Sequence, residues 1–297
     1  MALKCYNDVE VSKMKTINHD VLIQTVRDMV IEAATCLDPL VVNKLAEGKG
    51  QETSSLAQNV LKAIIDNAVI AKEEQIPMCQ DTGVGVFYLK VGNDLHFSYS
   101  LIEAIQEGAR QGYQEGWLRK SVVRHPLDRI NTLDNSPAII HTELVMGETL
   151  DIHFAPKGAG SENMSRLKML TPAEGEKGIR EFVLETIRLA GGKPCPPIIV
   201  GIGIGGNFEM SAYLAKTALM RPLDDEATHP IDNRLEKELL HDINQLGIGP
   251  MAFGGKTTCL AVKINSYPCH IASLPVAVNI QCHAARKAHV VLKGVLQ

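Results

Sequence analysis

The sequence is short of aromatic residues, of excess charge of either sign and of long apolar runs, and each shortage removes a class of function. Aromatics make up 4% of the 297 residues, with Trp117 the one tryptophan. That is too few for the stacking surfaces on which proteins hold single-stranded nucleic acid. Thirty Lys and Arg against 34 Asp and Glu leave a formal net charge of −4, whereas nucleic-acid binders carry a strong basic excess. The longest apolar run, Pro196 to Ile204, is too short for a bilayer and is broken by glycines. Met1–Asp8 is polar and lacks the apolar centre of a secretory signal. No membrane association is expected. No CxxC pair occurs, which excludes zinc-ribbon and ferredoxin spacings. Seven cysteines, an odd number over so long a chain, predict free thiols in a reducing cytoplasm rather than a disulfide framework.

What remains is an ordinary globular balance, 45% apolar and 22% charged, on a chain long enough to bury a substantial core. The first third reads as helical. Leu22, Val26, Met29, Val30 and Ala33 recur at helical spacing behind Asn18 or Asp20 as N-cap. A short helix over Pro39–Leu45 is expected to end at Gly48-Lys49-Gly50. Thr53 or Ser54 caps a long one with Leu56, Val60, Ile64 and Ala68 on its buried face.

After residue 79 strand-type segments enter: Val84–Val91, then Ala138–Leu144 and Thr149–Phe154 as a hairpin through Met146-Gly147. Ile198–Ile204, Thr257–Ile264 and Val276–Ile280 complete the set, before a basic tail with Lys287 and Lys293. Helices are predicted over Leu101–Glu115, with Ile102, Ile105, Ala109 and Tyr113 inward, and over Gly175–Ala190 and Phe208–Ala218. No internal repeat is visible, and the polar stretch Asp224–Asn233 is the nearest thing to a boundary. The pattern implies an α+β fold of mixed β-sheets flanked by α-helices. The expectation is one domain over 1–297, helical to about residue 75 and mixed α/β beyond.

Cys79, Cys195 and Cys282 stand at loop-like junctions beside strand-type runs: Cys79-Gln80-Asp81-Thr82-Gly83, Cys195-Pro196-Pro197 and Gln281-Cys282-His283-Ala284-Ala285-Arg286. Three thiolates that converge can hold an iron–sulfur cluster and leave one iron open as a Lewis acid. Widely spaced single cysteines are a weak signal, and simple burial is the plainer reading, the one that Cys5, Cys36, Cys259 and Cys269 receive. Gly201-Ile202-Gly203-Ile204-Gly205-Gly206 satisfies GxGxxG, with Asp224 and Asp225 downstream, which makes an NAD-dependent oxidoreductase the sharpest rival. Against it, no second βαβ half is evident.

Lys157-Gly158-Ala159-Gly160-Ser161-Glu162-Asn163 reads as a small-anion loop, with Lys157 for charge, or equally as a solvent turn. Leu118-Arg119-Lys120-Ser121-Val122-Val123-Arg124-His125 concentrates positive charge, where Arg119 could hold a carboxylate bidentately, although a solvated helix end explains it as well. A lone histidine such as His270 is more often structural than catalytic.

Taken together, the three cysteine segments and the Lys157–Asn163 loop resemble those of the class I, iron–sulfur-dependent hydro-lyases, the oxygen-sensitive fumarases and L(+)-tartrate dehydratases. The resemblance runs from about Glu52 to about Ala288. It implies a [4Fe–4S] cluster on Cys79, Cys195 and Cys282, and a substrate pocket of Gln80, Asp81, Arg119, Lys157, Gly160 and His270. His270 or Asp81 would be the proton donor. It also implies the α subunit of a two-subunit form, because single-chain members continue into a second domain that this sequence lacks. A β subunit would complete the site, with the opposing base, in a two-fold hetero-oligomer. Fumarate is expected ahead of tartrate or mesaconate, since the tartrate enzymes carry a different glycine loop containing a cysteine. One departure stands out: Leu133 occupies a place where the family has glycine.

Overall fold

Asn18 opens the first long helix. In the computed structural model, which describes residues 15–296, its side chain accepts from the Asp20 and Val21 amides. Helix α1 (His19–Thr35) therefore follows strand β1 (Lys15–Thr16) from a capped start. Cys5 lies outside the described residues. Helix α2 (Pro39–Gln51) begins on Asp38 and does not stop at Gly48. A Cβ on Gly48 would come within 2.7 Å of the Thr257 side chain, so this glycine serves close packing rather than termination. Helix α3 (Ser55–Glu74) is capped by Ser54, but it buries Ala57, Leu61, Ala68 and Ala71 and leaves Leu56 half exposed. Its sequence is apolar on more than one side, so periodicity alone could not say which side meets the core.

Strand β2 (Val84–Gly92) follows, then α4 (Leu101–Glu115), which turns Ile105, Ala109 and Tyr113 inward and leaves Ile102 exposed. Strands β3 (Ile139–Val145) and β4 (Thr149–Lys157) do not form the expected hairpin. β2 lies between them, parallel to β3 and antiparallel to β4, with Tyr88 opposite both His141 and His153. The reason is burial. β2 is apolar on both faces and takes the centre, while the largely exposed β3 takes an edge.

The short α5 (Ala159–Glu162), β5 (Arg166–Leu170), α6 (Gly175–Ala190), β6 (Ile198–Gly205) and α7 (Phe208–Ala218) come next. Then α8 (Pro230–Asn244), capped by His229, occupies the end of the stretch read as a boundary and buries Leu235, Leu239 and Ile243. β7 (Cys259–Tyr267), β8 (Leu274–Gln281), β9 (Ala288–Lys293) and β10 (Val295–Leu296) finish the chain; β9 is the segment read as a basic tail.

The sheets have the orders β3-β2-β4-β9 and β5-β8-β6-β7, with β1 pairing β10 separately. The fold is α+β with mixed sheets. α1 and α4 cover the first sheet in a core of Leu22, Val26, Phe87, Ile105, Ile152 and Phe154. The two helices cross closely because a Cβ at Gly108 or Gly112 would stand 2.6 Å from Val26 or Val30. α6 and α8 cover the second sheet around Phe182, Val183, Leu239 and Ile280. α2 and α3 pack Val41, Leu45 and Leu61 against its Ile199 and Leu260.

Both sheets share one plan, invisible as sequence repetition. A central strand (β2 or β6) has a parallel neighbour (β3 or β7) reached through helices, and an antiparallel neighbour (β4 or β8) on its other side. Among the described residues no helix is long and apolar enough to cross a membrane.

Candidate active site

Equivalent strand ends meet where the two sheets abut. The start of β2 lies beside the end of β4, with Val84 opposite Lys157, and the start of β6 lies beside the end of β8, with Ile199 opposite Gln281. Lys157 Nζ bridges the two pairs by donating to the Ile280 carbonyl at 2.7 Å. The loops at these ends carry Cys79, Gly158–Asn163, Cys195 and Cys282. Segments far apart in sequence converge because each is a loop on the same end of a duplicated strand plan.

Cys79 and Cys282 pack on one small cluster of Ala71, Met78 and Ala284. Met78 is fixed from both sides, its amide donating to the Ala34 carbonyl and its carbonyl accepting from Asn67 Nδ2. The His283 ring, next to Cys282, contacts the Cys195 carbonyl at 2.8 Å. Cys195 has φ +55, a conformation that L-residues rarely adopt, and this contact helps to hold it. Burial pushes the Cys195 thiol up, and the nearby Cys79 adds to the rise. Burial also pushes the Cys282 thiol up, while Arg286 and Lys157 pull it back. All three are free, half-buried thiols.

The donor set fits an iron–sulfur cluster: soft sulfur ligands from three segments, with cationic side chains favouring the thiolate. The other described cysteines differ. Cys259 is buried, its thiol pushed up to about 12 by burial; Cys36 is half-buried beside Thr35; Cys269 is exposed, against expectation, in the β7–β8 turn.

Asp81 ties the site together. Its carboxylate accepts from the Gly83 amide at 3.1 Å and the Ala159 amide at 2.8 Å, and its carbonyl accepts from Arg286 Nη2 at 2.7 Å. Gln80 and Arg119 are exposed beside it. The Arg119 carbonyl accepts from Thr82 Oγ1 at 2.6 Å, so its loop is fixed to the Asp81 segment. Asn135, 3% exposed, completes that tie. It accepts from the Ser121 and Val122 amides at 2.6 and 3.1 Å and donates to the Gly83 carbonyl at 3.0 Å. Gly160 approaches the Cys195 loop: a Cβ there would stand 3.3 Å from the Lys193 carbonyl. Leu133 has φ +71, which explains why glycine suits that position, yet the neighbouring Asn135 bonds are made.

Three expectations are corrected. Lys157 is not a free anion clamp. Its buried ammonium is met by Ser161 Oγ, the Ile280 carbonyl and Glu162. Burial lowers its pKa, with Glu162 opposing. His270 is exposed in the β7–β8 turn, its ring accepting from the Ala272 amide, at the far end of β8 from Cys282. Eight strand residues separate that turn from Cys282, roughly 25 Å at about 3.3 Å per residue. A role for His270 at the cysteines would need a second copy of the chain to carry it there.

The Gly201–Gly206 loop is not a dinucleotide cradle. A Cβ on Gly201 would lie 2.2 Å from the Ala215 carbonyl and one on Gly203 1.9 Å from the Ser211 carbonyl, so α7 already fills that space. Asp225 is engaged by Arg221 and Lys263, and β6 runs antiparallel to β8. The NAD reading falls.

Asp151, His153 and His289 gather on the adjacent strands β4 and β9 of the first sheet, with a nitrogen of each ring near one Asp151 oxygen, at 3.3 and 2.8 Å. The two rings are stacked, 4.0 Å apart and 6° from parallel. Their in-plane lone pairs therefore do not aim at a common ion, and the trio, in which His289 is hydrogen-bonded to Asp151, is distinct from the cysteines. Sequence reasoning missed Asn135 and the role of Arg286; a charged residue four positions after Cys282 was the one available signal for the latter.

The model of the family described as fumarate hydratase (Fumerase) matches residues 23–291. The chain belongs to this family. It is a hydro-lyase, and the resemblance read from its four segments holds. A Methanocaldococcus jannaschii chain, provisionally named an L(+)-tartrate dehydratase α subunit, is 49% identical over 276 residues, 91% of this chain and 95% of the relative. The L(+)-tartrate dehydratase α subunits of Escherichia coli O157:H7 and Shigella sonnei are each 31% identical over 286 residues, 94% of this fumarase-family chain and 92% of theirs.

Proposed function

We propose that this chain is the α component of an iron–sulfur-dependent hydro-lyase that interconverts fumarate and (S)-malate. The reading rests on one observation, three free cysteines carried on loops at one end of the paired sheets, with Asp81 and the Arg119 loop tied to the first of them. Cys79, Cys195 and Cys282 would hold a [4Fe–4S] cluster. When bound, the cluster supplies a Lewis acid that polarises a carboxylate and a hydroxyl oxygen.

The chain's own residues do the rest. Arg119 offers an exposed planar guanidinium to the distal carboxylate, and Gln80 offers an amide beside it. The proton removed from malate lies α to a carboxylate and is weakly acidic, so donors fixed around the developing charge lower the barrier. Asp81, oriented by two backbone amides, carries the proton to and from the leaving oxygen. Gly160, with no side chain, leaves the backbone of its loop open to the substrate.

The relatives' names as α subunits support a β partner. In this proposal that partner supplies the opposing base, in a two-fold hetero-oligomer of the cytoplasm. Residues 1–297 would act as one domain. The same names favour a second reading, L(+)-tartrate as substrate.

The test is anaerobic co-expression with the partner subunit, an iron and labile-sulfide assay, and turnover of fumarate, L(+)-tartrate and mesaconate. Fumarate should be the best substrate, and faster tartrate turnover would move the assignment to the second reading. Cys282→Ser should lose both brown absorbance and activity. Retained turnover with full iron would remove Cys282 as a ligand.

A further inference from the structure

Arg286 is 2% exposed, and two of its guanidinium nitrogens, Nε and Nη1, are buried without a hydrogen-bond partner among the described residues. Its third, Nη2, donates to the Asp81 carbonyl. No carboxylate among the described residues forms an ion pair with it. A buried guanidinium lacking a counter-charge and missing two bonds is costly, because each unmet charged donor loses its hydration without return. Proteins leave such a group where an anion is meant to sit.

The position says which anion. Arg286 comes four residues after Cys282, beyond a tight turn in which its own amide donates to the Ala284 carbonyl at 2.8 Å. It lies beneath the Asp81 and Gly158 loops, with Nη2 3.7 Å from where a Gly158 Cβ would be. The substrate-side groups Gln80 and Arg119 are exposed, whereas Arg286 is buried. Its bond to the Asp81 carbonyl ties it to the Cys79 segment, two residues from that cysteine, as its chain position ties it to Cys282.

We propose that Arg286 is the positively charged N–H donor to the sulfur atoms of the cluster at Cys282, and that it sets the cluster's reduction potential. The inference rests on the cluster assignment above. Hydrogen bonds to sulfur and nearby charge are the protein's main controls on such potentials. A fixed positive charge stabilises the more negative, reduced form, so removing it must move the potential downward.

The test uses the cluster-loaded enzyme with its partner subunit, kept anaerobic. Arg286→Gln should retain its iron and show a more negative midpoint potential. Arg286→Lys, which keeps the charge, should stay close to wild type. Wild-type enzyme carrying ¹⁵N-guanidino arginine should show an arginine ¹⁵N coupling to the reduced cluster by pulsed EPR, absent in Arg286→Lys. This measurement decides the matter if Arg286→Gln fails to fold or load.

An unmoved potential in loaded Arg286→Gln, or no arginine coupling in wild type, overturns the proposal. The donors then serve the inter-sheet cavity of about 30 Å³ that Arg286 also lines. A wild-type enzyme without iron and sulfide would instead overturn the proposed function, and this inference with it.

Discussion

Replacing Asn135 with alanine tests whether the Arg119 loop is positioned by a single buried amide. The side chain satisfies the Ser121 and Val122 amides and donates to the Gly83 carbonyl, which also accepts from Tyr113. Truncation therefore orphans two part-buried N–H groups, at about 1–1.5 kcal/mol each, while Gly83 keeps a partner. Asn135 also has φ +64, a conformation asparagine tolerates better than alanine, which adds up to about 1 kcal/mol. The sum is about 2–4 kcal/mol of stability, read by urea unfolding. Iron content should be unchanged, since Asn135 touches none of the cysteine segments beyond Gly83, and KM for the dicarboxylate should rise several-fold as Arg119 loosens. A loss under about 0.5 kcal/mol with unchanged KM would refute the reasoning, because the amide would then hold nothing that matters.

Glu162 supplies a pH test. Burial alone would raise its pKa, but Lys157 and Lys216 outweigh it and hold the carboxylate at about 2. The folded value lies below the unfolded one of about 4.3, so its stabilisation is complete above that and drains as pH falls toward 2. Wild type should lose more stability than Glu162→Gln between about pH 4.5 and 2 in denaturant titrations, and parallel profiles would contradict the pairing. Leu133→Gly should raise the melting temperature slightly, by relieving up to about 1 kcal/mol of left-handed strain at a residue that is 75% exposed; a lower Tm would show that the loop needs the leucine. Gly203→Ala should cost about 3 kcal/mol or more through its clash with the Ser211 carbonyl, and wild type should not alter NADH fluorescence. A tolerated alanine, or a fluorescence change, would reopen the dinucleotide reading.

Local chemistry was legible in the sequence. The caps to within two candidates each (Asn18 or Asp20, Thr53 or Ser54), the extended character of β2 and β6, and the loop placement of Cys79, Cys195 and Cys282 all follow from neighbours within a few residues, whose effects need no distant partner. Register and sidedness were not. β2 lies between β3 and β4 because it alone is apolar on both faces, a competition among strands that no single segment records. The buried stripe of α3 was chosen by what packs against it, and only the start of α8 was read, as the nearest thing to a boundary, because that polar start hides a stripe that only the second sheet reveals.

The same division holds at the site. Residue type announced that cysteines could serve, since sulfur chemistry is intrinsic to the side chain, and their loop-like junctions marked out three. Tertiary structure decided the rest: it turned Lys157 inward, carried His270 to the far end of β8 and buried Arg286 without a counter-charge among the described residues. Direction and burial are properties of neighbours distant in sequence, and those neighbours are assembled only when the two sheets meet.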